Sequence, residues 1–348
     1  MNWTPGKLNG MKALADSRGV IAAAAMDQRG SLKKAIAKEK GVSADRITNE
    51  MMAEFKSAVT RILTPYASAI LLDPEYGLPA MKQRAQGKGV LLAYEQSGYD
   101  NTRPGRIPDL LIDWTVRKLK EAGADAVKLL IYYTPFDDAK VNAEKHSFVE
   151  RIGAECALYD IPYFLEFVGY DPKGGDEKSV EYARQKPEIV TESIAEFSKP
   201  EYKVDVLKVE IPVALEFVEG TRAFKGTKAY SKSEAMEHYK KAAKAAKKPF
   251  IYLSAGVSNA QFLESLELAA EAQIDFNGVL CGRATWKEGI PVYAKQGLKA
   301  LEDWLADVGV KNIRALNERL KAAAPWFKKF GASSIDELEK HAEPAIIG

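Results

Sequence analysis

The stretch Asp205-Val-Leu-Lys-Val-Glu-Ile211 is the starting point for the fold, because a short apolar run here carries two charged residues. Side chains alternate between the two faces of a β-strand, so Val206, Lys208 and Glu210 share one face. The other face is entirely apolar and suits contact with a layer of helices. The pattern therefore predicts a strand whose Lys208 points into the interior of a closed sheet.

Seven other short β-rich runs lie along the chain, and helical patterns separate them. The eight predicted strands cover residues 20–27, 68–73, 89–95, 126–133, 162–168, 205–211, 249–256 and 276–283. Strands that alternate with helices indicate βαβ units and a parallel sheet. Eight such units that close on themselves form a (β/α)8 TIM barrel. A doubly wound α/β sheet is the alternative, but no Gly-x-Gly-x-x-Gly turn follows the first run.

The helical patterns and the absence of linkers indicate one domain. Helices are predicted at 43–66, 109–122, 141–159, 231–248 and 258–273. The residues after the eighth strand are helical in pattern and carry Trp304 and Trp326, which we expect to be packing residues. We expect residues 1–348 to form a single barrel domain with extra N-terminal and C-terminal helices, in which 327–348 is a C-terminal extension.

Composition excludes several classes of function. Hydrophobic residues make up 46% of the chain and charged residues 28%, which is ordinary for a globular protein. Fifty basic and 48 acidic residues give a net charge of +2, too balanced for a protein that coats nucleic acid or an anionic membrane. No apolar run approaches the roughly 18 residues of a membrane span. The apolar run 20–26 lacks a signal-peptide cleavage site. We expect a cytoplasmic protein with no nucleic-acid or membrane partner.

The cysteines and histidines argue against a disulfide framework and a zinc site. Cys156 and Cys281 are far apart in the sequence. His146, His238 and His341 share no metal-ligand spacing. We expect catalysis by carboxylates, lysines or hydroxyls without a cofactor, or else a hard cation held by oxygen ligands.

Polar residues late in the predicted strands indicate a shared catalytic region, since the carboxyl ends of barrel strands form the catalytic face. An interior lysine lacks water, which favours its neutral, nucleophilic amine. The alternative for Lys208 is a side chain that reaches solvent or pairs with Glu210. Together these residues predict chemistry on an anionic carbonyl compound: Asp27, Lys128, Glu166, Lys208, Ser254 and Arg283.

The last two strands predict a phosphate site. Ser254, Ala255 and Gly256 lead into a predicted helix, whose free N–H groups favour an anion. Gly282 permits close approach of the backbone, and Arg283 offers a bidentate guanidinium.

Two further clusters are open to more than one interpretation. Gln28 and Arg29, beside Asp27, suit a polyhydroxylated or second anionic end of a ligand. Asp73 and Glu75 could hold Mg²⁺, although a turn opened by Asp-Pro with capping carboxylates is the favoured interpretation. Three loop cations could either bind an anion or simply be solvated: Lys88, Arg103 and Arg106.

At these residues the chain resembles the class I tagatose 1,6-bisphosphate aldolases, a family of Schiff-base ketose-bisphosphate aldolases. The motifs include Met26-Asp-Gln-Arg-Gly30 and Leu72-Asp-Pro-Glu-Tyr-Gly-Leu-Pro79. Further matching segments are 91–95, 98–100, 123–128, 150–153, 205–210, 252–257 and 276–286. The resemblance implies a TIM barrel that forms a Schiff base through Lys208, with Glu166 as its acid/base partner, and a homo-oligomer.

The resemblance also implies an activity without a cofactor. It implies that tagatose 1,6-bisphosphate is cleaved to dihydroxyacetone phosphate and glyceraldehyde 3-phosphate, with fructose 1,6-bisphosphate as a further candidate substrate. The residues that it implies for positioning substrate and phosphate are Asp27, Gln28, Arg29, Lys128, Ser254 and Arg283. Three alternatives stay open: an aldolase for 6-deoxy-6-sulfofructose 1-phosphate, a Mg²⁺-dependent enolate enzyme that uses Asp73 and Glu75, and a non-catalytic sensor of phosphosugars.

Overall fold

Eight parallel strands close into a barrel, which confirms the predicted TIM-barrel architecture. The computed structural model describes residues 3–343. Its strands are β1 (Ile21–Ala25), β2 (Ala69–Leu72), β3 (Gly89–Ala93), β4 (Ala126–Tyr132), β5 (Tyr163–Val168), β6 (Val206–Val209), β7 (Val218–Glu219), β8 (Tyr230–Ser231), β9 (Phe250–Leu253) and β10 (Gly278–Cys281). The order around the barrel is β1-β10-β9-β6-β5-β4-β3-β2. The doubly wound alternative is therefore wrong. The short β7 and β8 pair outside the barrel and were not expected.

Helices connect the strands and cover the outside of the barrel. They are α1 (Pro5–Leu14), α2 (Gly30–Lys40), α3 (Asn49–Leu63), α4 (Leu78–Met81), α5 (Val116–Glu121), α6 (Ala139–Leu158), α7 (Val180–Phe197), α8 (Lys232–Ala245), α9 (Asn259–Glu271), α10 (Arg283–Trp286), α11 (Gly289–Gln296), α12 (Leu298–Trp304), α13 (Val310–Arg319) and α14 (Ile335–Glu339). Within residues 3–343, none of them combines the length and apolar character that crossing a bilayer requires.

Two predicted helices have different bounds, and three helices between the barrel strands were missed: α2, α4 and α7. The pattern at 109–122 yields only α5, because Leu110 forms an antiparallel bridge with Glu95 and Thr115 caps the helix that follows. The pattern at 43–66 begins with a separate turn of 3₁₀-helix before α3. The unexpected helix α7 continues through a buried Pro187.

The strands separate an inner apolar layer from an outer one, as the alternation in β6 predicts. Leu207 and Val209 pack outward among the helices, whereas Val206 faces the barrel interior with Phe164. Inside the barrel, β1 contributes small residues, and charged side chains occupy the part nearest the carboxyl ends of the strands. Lys208 is 4% exposed and lies in this interior.

The amino end of the barrel is closed by α1. Asp160 accepts hydrogen bonds from the N–H groups of Gly6 (2.9 Å) and Lys7 (3.1 Å). The Lys7 ammonium pairs with Asp205 at 2.7 Å, and Asp205 also accepts a hydrogen bond from the N–H of Tyr163. These contacts join the first helix to the starts of β5 and β6.

Aromatic residues from both ends of the chain pack beside α1. The Trp326 ring lies 4.9 Å from Trp3, and Phe330 lies 5.1 Å from Trp3. Trp326 is fully buried and Trp304 is partly buried against the core, so both are packing residues as expected. The predicted extension 327–348 continues through α14, and its last residues, 344–348, lie outside the described part of the chain.

The strands at the predicted phosphate site end earlier than the apolar pattern suggests. Ser254 and Arg283 follow β9 and β10 and stand on the loops at the mouth of the barrel. Positive φ angles of 46° at Ala255 and 78° at Gly256 turn the chain out of the sheet. The shorter strands therefore move these residues from the barrel wall to its rim.

Candidate active site

The register of three neighbouring strands brings Lys208, Glu166 and Lys128 together. Glu166 on β5 is the direct partner of Lys208 on β6, and Leu130 on β4 is the partner of Glu166. Lys128 therefore lies one inward-facing position deeper than Glu166. The predicted convergence of these residues inside the barrel is what the structure shows.

Glu166 bridges the two lysines. Its Oε2 lies 2.8 Å from Lys208 Nζ and 2.8 Å from Lys128 Nζ. Lys128 is fully buried and also contacts Asp27 Oδ2 at 2.9 Å and Glu95 Oε1 at 2.7 Å. The alternative pairing of Lys208 with Glu210 does not occur, because Glu210 pairs with Lys186 at 3.1 Å and accepts the Gly169 N–H.

The lysines control the ionisation of the surrounding carboxyl groups. Burial raises the pKa of Asp27, but the charges of Lys128 and Lys208 outweigh it and hold this pKa well below its usual range. The same opposition leaves the pKa of Glu166 lowered. For Glu95 burial prevails over Lys128 and Arg29, so its pKa is raised. The three carboxylates in turn raise the pKa of Lys128 well above normal despite its burial. Lys128 therefore stays protonated at neutral pH.

Glu95 is a site residue that the sequence reasoning missed. It is buried two residues after β3 ends, and its second carboxylate oxygen accepts the Leu130 N–H at 3.0 Å. It also faces the Arg29 guanidinium, which lies 3.9 Å from its Oε1. The rule applied to the other strands, a charged residue at a strand end, would have found it.

Arg29 and Gln28 occupy different positions relative to the cavity. The Arg29 guanidinium is buried, donates to Glu75 at 2.9 Å and donates to the Glu95 carbonyl at 2.6 Å. These bonds favour a supporting role over the predicted contact with phosphate. Gln28 donates to Asp27 at 3.2 Å, and its Oε1 has no hydrogen-bond partner among residues 3–343. Gln28 is therefore the better candidate for contact with a ligand.

The loops after β9 and β10 form a compact cradle. A Cβ atom at Gly256 would lie only 2.7 Å from Arg283 Cζ, so the guanidinium packs directly on this glycine. A Cβ at Gly282 would lie 2.7 Å from the Ala25 carbonyl oxygen. Ser258 caps α9 behind the loop. Ser254, Ala255, Gly256 and the exposed Arg283 thus line the cavity together, and their contact with a phosphate stays a prediction.

A cavity of about 1200 Å³ at the carboxyl ends of the strands connects these parts. All predicted site residues except the deeper Lys128 line it: Asp27, Gln28, Arg29, Glu166, Lys208, Ser254, Ala255, Gly256, Gly282 and Arg283. Further residues, not predicted, complete its wall: Tyr99, Tyr132, Tyr182, Lys186 and Lys225.

Asp73 and Glu75 do not form the alternative Mg²⁺ site. Asp73 lies 2.5 Å from the buried ammonium of Lys56, and its other oxygen accepts the Tyr76 N–H at 2.8 Å. Glu75 is the partner of Arg29. Within residues 3–343 no group of three or more metal-ligating side chains is brought together. The turn interpretation is the one that the structure supports.

The three loop cations have separate roles. Arg106 lies within 5.4 Å of the ring centres of Tyr99, Tyr132 and Tyr170 and donates to Glu177 at 2.6 Å. It fastens the loop after β3 across the barrel mouth. Exposed Arg103 pairs with an acidic residue of α6, and Lys88 precedes β3 at the opposite end of the barrel. Neither Arg103 nor Lys88 lines the cavity.

A TIM barrel with buried lysines and carboxylates below a cavity at the carboxyl ends of its strands has the architecture of a barrel enzyme. The chain belongs to the DeoC/LacD aldolase family, whose model matches residues 21–288. It is 49% identical over 339 residues to the tagatose 1,6-diphosphate aldolase of Listeria monocytogenes, covering 97% of this chain and 98% of that protein. It is 52% identical over 327 residues to tagatose 1,6-diphosphate aldolase 2 of Enterococcus faecalis, covering 94% and 97%.

Solved structures with low sequence identity share the fold. A Schiff-base-forming fructose-1,6-bisphosphate aldolase, studied through its reaction intermediates, superposes with a TM-score of 0.53 at 16% identity and covers 89% of this chain and 98% of that one. Fructose-bisphosphate aldolase from Plasmodium falciparum, solved with TRAP and an inhibitor, gives a TM-score of 0.64 at 13% identity, covering 91% and 94%. These two comparisons support the barrel alone.

Proposed function

We propose that the protein is a class I aldolase that cleaves tagatose 1,6-bisphosphate through a Schiff base on Lys208. The observation that carries the proposal is a 2.8 Å contact between the Lys208 amine and the Glu166 carboxylate inside a closed barrel. A carboxylate at this distance can take up and return the protons of Schiff-base formation. The names of the relatives supply the substrate, and fructose 1,6-bisphosphate is a second substrate of the same chemistry.

In the reaction Lys208 gives a proton to the Glu166 carboxylate, its amine adds to the C2 ketone, and Glu166 returns the proton as the carbinolamine loses water. The iminium withdraws electrons, so the C3–C4 bond breaks as the C4 hydroxyl gives its proton to the Glu166 carboxylate. Glyceraldehyde 3-phosphate leaves, and Glu166 protonates the remaining enamine at C3. Hydrolysis of the iminium then releases dihydroxyacetone phosphate and restores the amine. The covalent route divides one difficult step into easier ones.

Lys128 and Asp27 organise the floor of this site. Because Lys128 is protonated and bonded to Asp27 and Glu95, it fixes both carboxylates and balances their charge. Lys128 also contacts Glu166, the partner of Lys208. Because the two lysines compete for this carboxylate, Glu166 can exchange a proton with Lys208.

The cradle at the rim supplies the phosphate contacts. Arg283 and the backbone around Gly256 would hold one phosphate, with the charge-assisted hydrogen bonds that such groups favour. Gln28 lies beside this cradle, since a Cβ atom at Gly282 would lie 3.4 Å from its Nε2, and it is placed to contact the ligand next to the phosphate. The single-domain organisation, the homo-oligomer and the cytoplasmic location stay predictions.

Borohydride reduction with dihydroxyacetone phosphate, followed by peptide mass spectrometry, tests the proposal. The expected result is a covalent adduct on Lys208 that the Lys208→Met variant lacks. Lys34→Met is the matched control, since Lys34 lines the cavity as an exposed residue of α2 and should leave the adduct intact. An adduct on Lys128 instead would move the nucleophile to β4 and overturn the assignment.

A further inference from the structure

The segment that carries Asp27 leaves the sheet, and side chains hold its backbone. β1 ends at Ala25, and Asp27 contacts Lys128 on β4, three strands away around the barrel. The Ala25 carbonyl accepts the indole N–H of Trp286 at 2.9 Å. The carbonyls of Met26 and Gln28, on either side of Asp27, both accept hydrogen bonds from Lys56, at 2.6 and 2.8 Å. One ammonium group therefore holds both flanks of the carboxylate residue.

Lys56 is fully buried and donates two hydrogen bonds, both to these carbonyls. It comes from α3, outside the barrel wall, and its ammonium also forms an ion pair with Asp73 at 2.5 Å. A buried lysine is costly unless paired, and one acidic partner would meet that need. Because Asp73 already supplies that partner, the two carbonyl bonds are additional and are directed at the residues around Asp27.

We propose that Lys56 is a positioning residue of the aldolase reaction, which fixes Asp27 against Lys128 by holding the carbonyls of Met26 and Gln28. The inference rests on the proposed function and extends it to a residue that does not line the cavity. Asp27 in turn holds Lys128 in position. A displaced Asp27 would therefore disturb the buried side chains that we expect to contact the sugar hydroxyls. A displacement of about 1 Å in such a group can cost about 10²-fold in rate.

The charge of Lys56 also acts on Asp27. Burial raises the pKa of Asp27, and Lys128, Lys208 and Lys56 together lower it. The other charged groups that face Asp27 are Glu95 and Glu166, whose own ionisation it disfavours. Removing Lys56 therefore raises the pKa of Asp27, and activity that needs the ionised carboxylate is lost at a higher pH as the solution is acidified.

Three variants separate positioning from simple charge balance. In Lys56→Met we expect kcat to fall by about 10²-fold with a smaller change in KM, and the acid limb of kcat/KM to move to higher pH. The double variant Lys56→Met/Asp73→Asn restores neutrality without restoring the carbonyl bonds, so both defects should persist. Asp73→Asn alone leaves Lys56 bonded to both carbonyls, so its kcat should fall far less than that of Lys56→Met.

Lys7→Met is the matched control, because it removes another buried lysine–carboxylate pair at the opposite end of the barrel. It should lower stability and leave the pH profile unchanged. The proposal fails if the double variant regains wild-type kcat and acid limb, or if Asp73→Asn alone lowers kcat as much as Lys56→Met does. The double variant and Asp73→Asn decide the question even where Lys56→Met does not fold.

Trapping of dihydroxyacetone phosphate on Lys208 separates this inference from the proposed function. We expect the adduct in wild type and in all three variants, since the pair formed by Lys208 and Glu166 is untouched. A wild-type protein without the adduct would refute the Schiff-base mechanism. Adducts in every variant together with unchanged kinetics would refute the role of Lys56 but leave the Schiff-base mechanism standing.

Discussion

Replacing Lys128 with Met tests how the charged interior of the barrel is held together. Its Nζ lies 2.9 Å from Asp27, 2.7 Å from Glu95 and 2.8 Å from Glu166, and the side chain is fully buried. At an effective dielectric constant of about 20, each pair contributes about 6 kcal/mol of attraction, offset largely by the cost of removing the charges from water. Loss of the shared cation should lower the free energy of unfolding by about 3–5 kcal/mol.

The size of this loss should depend on pH. In the wild type, burial raises the pKa of Asp27 and Glu166, but Lys128 and Lys208 prevail and both pKa values are lowered. Without Lys128 the carboxylates repel each other, and their pKa values rise in the folded state. The folded variant then takes up more protons than its unfolded chain as the pH falls, which stabilises it. The difference from wild type should therefore shrink between neutral and mildly acidic pH.

Urea unfolding at neutral and at mildly acidic pH measures the difference in free energy of unfolding between the wild type and Lys128→Met. Lys7→Met is the control. Lys7 pairs with a single carboxylate, Asp205, at the amino end of the barrel. Its loss should cost less than that of Lys128 and should vary less with pH. Equal losses in both variants, constant across this pH range, would refute the account of a shared cation.

Two further substitutions test the reaction site. Glu166→Gln should slow turnover by about 10²–10⁴-fold, because an amide cannot exchange the proton, and steady-state kinetics with thermal unfolding separates this effect from misfolding; near-normal turnover would assign the acid/base role elsewhere. Gly256→Ala should raise KM for the bisphosphate by about tenfold or more, because its Cβ would meet Arg283 and a group that holds phosphate contributes about 1.5–3 kcal/mol. Gly41→Ala is the control, since Gly41 also has a positive φ but no atom within 4 Å of an added Cβ, and both variants should lose about 1 kcal/mol of stability. Equal KM values in these two variants would contradict the cradle.

The sequence predicts residues whose position depends on strand periodicity. Lys208, Glu166 and Lys128 could be placed inside the barrel because alternation along a strand fixes which face each residue occupies. The cradle residues were placed at the right end of the right strands, although positive φ angles at Ala255 and Gly256 put them on loops. Strand periodicity thus predicts the residues at the centre of the site correctly, but its predictions are less accurate for the residues on the loops at the rim.

Other features depend on contacts that no local pattern encodes. Lys56 belongs to an amphipathic helix, and its partners are backbone carbonyls and a carboxylate on two other segments. Arg106 appears in the sequence as one more loop cation, yet three tyrosines from separate segments surround it. The helix α7 was missed because Pro187 normally argues against a continuous helix.

The closure of the amino end has a consequence for biosynthesis. The first helix is bound by Asp160 and Asp205, which follow its Lys7 by 153 and 198 residues. A nascent chain has no complete docking surface for this helix until Asp205 has left the ribosome. We expect this helix, which is made long before its partners, to be among the last elements to settle, because it docks only on a formed ring of strands.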